Sequence, residues 1–134
     1  MLTIRVNSFS YRRGLPEDPS GNGGGFVFDC RALHNPGRYE QYKSLCGLDR
    51  PVIDFLETEE NVHKFLDACK LLICQSVDCY LDRGFEHLMV SFGCTGGQHR
   101  SVFCAQTIGD FIASTYPQVK VEICHMEQEI LKKK

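Results

Sequence analysis

The stretch that most constrains this chain is Cys94-Thr95-Gly96-Gly97-Gln98-His99-Arg100-Ser101, set between an apolar run at 87–92 and a run of helical character at 102–114. A strand, a glycine turn and a helix N-terminus in that order make a ready anion site. The first N–H groups of a helix have no partner within it, and the helix dipole adds positive character at the same end. Gly96 and Gly97 allow close backbone approach and positive φ. Arg100 offers a planar fork of donors suited to phosphate, and Thr95 and Ser101 offer hydroxyls. A plain structural turn explains the glycines but not the polar residues packed around them.

Hydrophobic patterning sets the elements on either side. Residues 2–9 alternate with period two and read as a strand; a polar loop rich in Gly and Pro follows to Gly25. Residues 26–30 form a short apolar strand of the buried parallel type, with Asp29 near its carboxyl end. Residues 31–51 read as a long loop, turning at Asn35-Pro36-Gly37. Thr58 is the expected N-cap of a helix running to about Asp82, stopped by Gly84. After the second glycine-rich region, Pro117 ends a helix, 119–123 alternate as a last strand, and a short polar helix starts near Met126.

This order predicts an α/β fold: a mixed or mostly parallel sheet with helices packed on it, in one domain over residues 1–134. Ligand residues of such sheets gather at the carboxyl ends of the strands. The anion site is therefore expected to be completed by Asp29, Arg31, His34 and Asn35, with His34 or Asn35 alternatively serving as ordinary turn residues before Pro36.

The chain carries eight cysteines but has no C-x-x-C pair and no secretory signal pattern. A disulfide scaffold and a zinc site are both disfavoured, and no metal or cofactor is expected. The cysteines read as reduced and structural, with Cys94 the exception, expected to be accessible and reactive. Net charge is −2, so no global attraction to nucleic acid or membrane is implied. Lys132, Lys133 and Lys134 form the one charge run, best read as a solvated helix end. No apolar run is long enough to span a bilayer, and a cytoplasmic location is expected. An oligomer is compatible with all of this.

Four blocks carry a family resemblance. They are residues 8–16, SFSYRRGLP; 28–36, FDCRALHNP; 47–52, GLDRPV; and 93–102, GCTGGQHRSV. In order and sequence they resemble the C-terminal domain of the RapZ-like family, with Ser10 where the family usually has Gly. The family's nucleotide-binding N-terminal domain has no counterpart here, since no G-x-x-x-x-G-K-[ST] occurs; the expectation is a stand-alone second domain. The resemblance implies binding of an amino-sugar phosphate, glucosamine-6-phosphate in the enterobacterial member, through the residues at 94–101. It also implies RNA binding and an adapter role towards an endoribonuclease, which here could draw only on the lysine tail.

Cys94 and Arg100 also fit C-x-x-G-x-x-R-S, the spacing of cysteine-dependent phosphatases. Cys94 would be the nucleophile there and Arg100 the oxyanion clamp. Gly93 stands where those enzymes have His, and no Asp sits at an obvious general-acid position. The enzyme reading is thus the runner-up to a sensor or adapter.

Overall fold

The computed structural model describes residues 1–22 and 24–132. Four strands, β1 (Thr3–Ser10), β2 (Gly25–Asp29), β3 (His87–Cys94) and β4 (Lys120–His125), form one sheet in the order β2-β3-β1-β4. Every pairing is parallel, so the sheet is not mixed. Four α-helices accompany it: α1 (Arg50–Glu57), α2 (Glu60–Arg83), α3 (Arg100–Thr115) and α4 (Met126–Lys132).

The central strands explain themselves. Ile4, Val6, Leu88, Val90 and Phe92 are buried, and the pairings Ile4↔Leu88 and Val6↔Val90 line them up on one face. Val121 and Ile123 of β4 fall on the same rows. Helix α3 settles on this face, and a Cβ at Gly109 would collide with the Ile123 side chain, so glycine permits that contact. Helix α2 covers the β2 side, where Phe65 meets Phe28 and Phe92 edge-on at 6.3 Å. Burying such side chains contributes roughly 1.5–3 kcal/mol each and is the main source of stability.

Two expectations between 31 and 60 are corrected. The stretch 31–51 is not a uniform loop: it holds 3-10 turns at Pro36–Arg38 and Glu40–Tyr42, then enters α1 at Arg50. Pro51 lies in the first turn of this helix, where proline removes only a donor that has no helical partner anyway. Thr58 does not cap the N-terminus of α2. It closes α1, its hydroxyl donating to the Phe55 carbonyl at 2.7 Å, and α2 begins at Glu60 after Glu59, which makes no side-chain cap bond. The far end of α2 follows expectation, with Gly84 in the left-handed conformation at φ 71°.

Because all strands run the same way, the carboxyl ends of β1, β2 and β3 lie along one edge. Ser10 pairs with Cys94 and Asp29 with Gly93. The segments leaving these three strands therefore meet, which is the arrangement that builds a ligand site in open α/β sheets.

Candidate functional site

The turn that leaves β3 is fixed from below. Gly97 has φ +68°, and a Cβ there would lie 2.9 Å from the Ser10 backbone nitrogen. Glycine is required at this position both for conformation and for space. Gly96 meets nothing within 4 Å, so its bare backbone borders open volume. Ser10 stitches β1 to the turn, its hydroxyl donating to the Thr95 carbonyl at 2.6 Å.

Arg100 opens α3 and is only 5% exposed. Its Nη1 donates to the carbonyls of Arg31 (2.8 Å) and Leu33 (3.1 Å). The buried Nε has no hydrogen-bond partner among the described residues. Leaving such a donor unmet costs about 1–3 kcal/mol, more when charged, and in a folded protein it asks for an explanation.

Two adjoining clefts surround this guanidinium. The first, about 380 Å³, is lined by Cys94, Thr95, Gly96, Gln98, His99 and Arg100 from the turn, with Arg12, Asn35, Gly37 and Lys43 facing them. The second, about 350 Å³, is lined by residues 31–35, Arg38, Thr95 and Arg100. Asn35, Thr95 and Arg100 belong to both. Among the described residues, five basic side chains border the pair (Arg12, Arg31, Arg38, Lys43 and Arg100) and no Asp or Glu does. In a chain whose net charge is −2 this is a local positive field, suited to an anion.

Several residues expected to touch a ligand line the clefts and also hold the site together. Gln98 donates through Nε2 to the carbonyls of Lys43 (2.8 Å) and Leu45 (2.7 Å). His99 donates to the Tyr42 carbonyl at 2.8 Å. Gly47 returns a backbone bond to the Gln98 carbonyl at 2.9 Å. The turn and the facing loop are thus one unit. Both nitrogens of His34 are engaged, Nδ1 with Glu59 and Nε2 with the Tyr39 hydroxyl at 2.8 Å. Asn35 caps the Pro36–Arg38 turn, accepting from the Gly37 N–H at 2.9 Å.

Asp29 stands at the strand end as expected but lines neither cleft. Arg31 grips both its carboxylate oxygens at 2.8–3.1 Å, and this hydrogen bonding holds the carboxyl below its ordinary range. The Arg31 guanidinium in turn lies 3.8 Å over the Tyr11 ring.

Cys94 corrects the expectation of an accessible thiol. It is 2% exposed, and its Sγ donates to the equally buried Ser101 hydroxyl at 3.1 Å. It belongs to the core beneath the turn together with Cys30 and Cys104. Burial, then a hydrogen bond with Cys104, pushes the Cys30 thiol well up. All eight cysteines are free thiols, and no group among the described residues could hold a metal ion. Lys132 lies at the end of α4, 3.9 Å from Glu129; Lys133 and Lys134 lie outside the described residues.

Sequence reasoning passed over Arg12, Arg38 and Lys43 as site residues. Arg12 lies within the block at 8–16, but nothing in its neighbourhood signals that it reaches a turn more than eighty positions away. Only the parallel pairing of β1 with β3 brings it there.

The RapZ C-terminal domain family matches residues 2–129. The chain belongs to the RapZ C-terminal domain family. Among its relatives, a nucleotide-binding protein of Pseudoalteromonas translucida is 41% identical over 129 residues, which is 96% of this chain and 43% of the relative. One from Paraburkholderia xenovorans is 40% identical over 114 residues, 85% of this chain and 37% of the relative. A third, from Glaesserella parasuis, is 36% identical over 131 residues, 95% of this chain and 43% of the relative. The RapZ C-terminal domain described here thus spans about two fifths of the length of these relatives. No helix among its described residues is long and apolar enough to cross a membrane.

Proposed function

We propose that this domain binds a phosphorylated sugar, with the phosphate at the Gly96–Arg100 turn and the sugar against the segment from Arg31 to Asn35. The observation that carries this reading is Arg100: a buried guanidinium with an unmatched Nε, at a helix N-terminus, in a cleft bordered by no carboxylate. An incoming phosphate would meet the helix dipole and the guanidinium that lines the cleft, and a shift of the side chain would let its buried Nε join. A phosphorylated ligand also agrees with the name borne by the relatives, nucleotide-binding protein.

Family membership points further, to an amino-sugar phosphate. For an ammonium group the partner would be Asp29, which would have to share its carboxylate with Arg31. Calorimetric titration with glucosamine-6-phosphate, glucose-6-phosphate and inorganic phosphate, in wild type and Asp29→Asn, tests this. Phosphosugars should bind more tightly than inorganic phosphate, and the preference for the amino sugar should vanish in the mutant. Equal affinity for all three in wild type would reduce the site to a generic anion pocket. An adapter role towards RNA or an endoribonuclease rests on family membership alone; the one tail lysine among the described residues lies beside Glu129.

The runner-up chemistry, phosphate ester cleavage by Cys94, has a direct check. Phosphate release from several monoesters that disappears in Cys94→Ser would replace the sensor reading with an enzyme.

A further inference from the structure

Ser10 ends β1, is only 4% exposed and lines neither cleft. Its hydroxyl nevertheless makes two bonds that bear on the first cleft. It donates to the Thr95 carbonyl at 2.6 Å and accepts from the backbone N–H of Arg12 at 3.2 Å. The second bond caps the short turn Tyr11–Arg13, from which Arg12 reaches the cleft. The first bond fixes a peptide plane. The Thr95–Gly96 peptide is trans, so its C=O and its N–H point in opposite directions. With the carbonyl held against β1, the Gly96 N–H is turned away from β1. That N–H meets no acceptor among the described residues, and Gly96 borders open volume and lines the first cleft. Glycine offers little steric resistance to a peptide flip, so this plane needs a lock. The flipped plane would present a carbonyl oxygen, not a donor, to an anion.

We infer that Ser10 is a positioning residue of the anion site. By holding the Thr95 carbonyl against β1 it aims the Gly96 N–H into the first cleft as a donor to the phosphate. By capping the Tyr11–Arg13 turn it sets Arg12 as the wall beside that donor. This rests on the phosphate-binding reading above and adds to it a specific backbone donor and the side chain that orients it. One buried hydroxyl thereby sets a donor of the floor and a cation of the wall before any ligand arrives, which lowers the ordering cost of binding.

The experiment titrates nitrogen-15-labelled wild type and Ser10→Ala with glucose-6-phosphate and follows the Gly96 amide by nuclear magnetic resonance. In wild type the Gly96 amide proton should move downfield on saturation, as an N–H does on donating to a phosphate oxygen. Ser10→Ala should bind about tenfold more weakly, the scale of one hydrogen bond to a charged group, and the downfield shift should be lost. A purely structural role would lower stability without removing the Gly96 signal. A Gly96 amide that stays in place while wild type binds overturns the inference and leaves the phosphosugar reading standing. A downfield shift that survives in Ser10→Ala also overturns it, whatever the affinity. If glucose-6-phosphate does not bind wild type, the phosphate reading itself fails and takes this inference with it. Circular dichroism checks the fold of the variant. Ser10→Gly removes the same hydroxyl at a φ of −99°, which glycine adopts without strain, and gives a second variant with the same expected outcome.

Discussion

The floor of the site and its walls are built by opposite means. The floor (Cys94, Gly97, Arg100 and Ser101) is buried, packed on β1 and set by backbone conformation. The walls are Arg12, Arg31, Arg38 and Lys43, long exposed side chains on loops and 3-10 turns. On the proposed reading, a rigid floor would fix where an anion sits at little cost in reorganisation. The walls supply charge, but each long side chain must be ordered on binding, which costs about 0.5–1.5 kcal/mol apiece. Affinity should therefore reside mainly in the floor, and discrimination between ligands in the walls.

The sharpest way to break this division is Arg100→Ala. Removing a buried charged donor should lower phosphosugar affinity more than tenfold, since a charge-assisted hydrogen bond contributes roughly 1.5–3 kcal/mol. The change also removes the Nη1 bonds to the Arg31 and Leu33 carbonyls, so stability should fall as well, offset in part by the loss of the unmatched buried Nε. Titration of the mutant, checked as folded by circular dichroism, decides it. Unchanged affinity would move the binding energy to the walls.

Within the floor, the two glycines should respond unequally. Gly97→Ala forces a residue with a Cβ into the left-handed region, costing about 1–2 kcal/mol, and drives that Cβ against Ser10. Gly96→Ala meets open space and should cost little stability. Urea denaturation of both variants gives the comparison. Equal destabilisation would mean that the turn is held by something other than its close approach to β1.

The same contrast governs what could be read from sequence. The strand–turn–helix core is local, so residues 87–114 announced the floor within one window. The sheet was legible as well, because buried parallel strands write continuous apolar runs such as Phe26-Val27-Phe28 and Leu88-Met89-Val90. Residues 31–60 were misread for a physical reason. Their structure is held by tertiary bonds, such as those from Gln98 to Lys43 and Leu45, which leave no period in the sequence. Cys94 was misjudged because residue type and helix position suggest reactivity, whereas burial decides access. Gln98 and His99 look like ligand groups by type, yet their partners are carbonyls more than fifty residues away.

Those bonds make the join between floor and wall testable. Gln98→Ala removes two hydrogen bonds to loop carbonyls and leaves both acceptors unmet; a typical bond contributes about 0.5–1.5 kcal/mol net. The expected loss of global stability is of that order. Hydrogen exchange should quicken in residues 38–47 but not in β1 or β3, since local opening follows the loss of local bonds. Uniform acceleration across the sheet would show that the loop and the core unfold as one.

The smallest effect should come from a wall alone. Arg12 is exposed and interacts with an anion through water-accessible space, where pair energies are about 0.2–1 kcal/mol and fall with salt. Arg12→Gln should therefore weaken phosphosugar binding only about two- to fivefold at low ionic strength. At half-molar salt, where charges beyond about 4–5 Å are largely screened, mutant and wild type should nearly coincide. The Arg100→Ala deficit should persist under the same conditions, because that guanidinium is buried and screened much less. Titrating both variants across a salt series tests floor and wall together. Two deficits that shrink in parallel would mean that Arg100 acts through the same solvent-exposed field as Arg12, and the division between a rigid floor and a charged wall would fall.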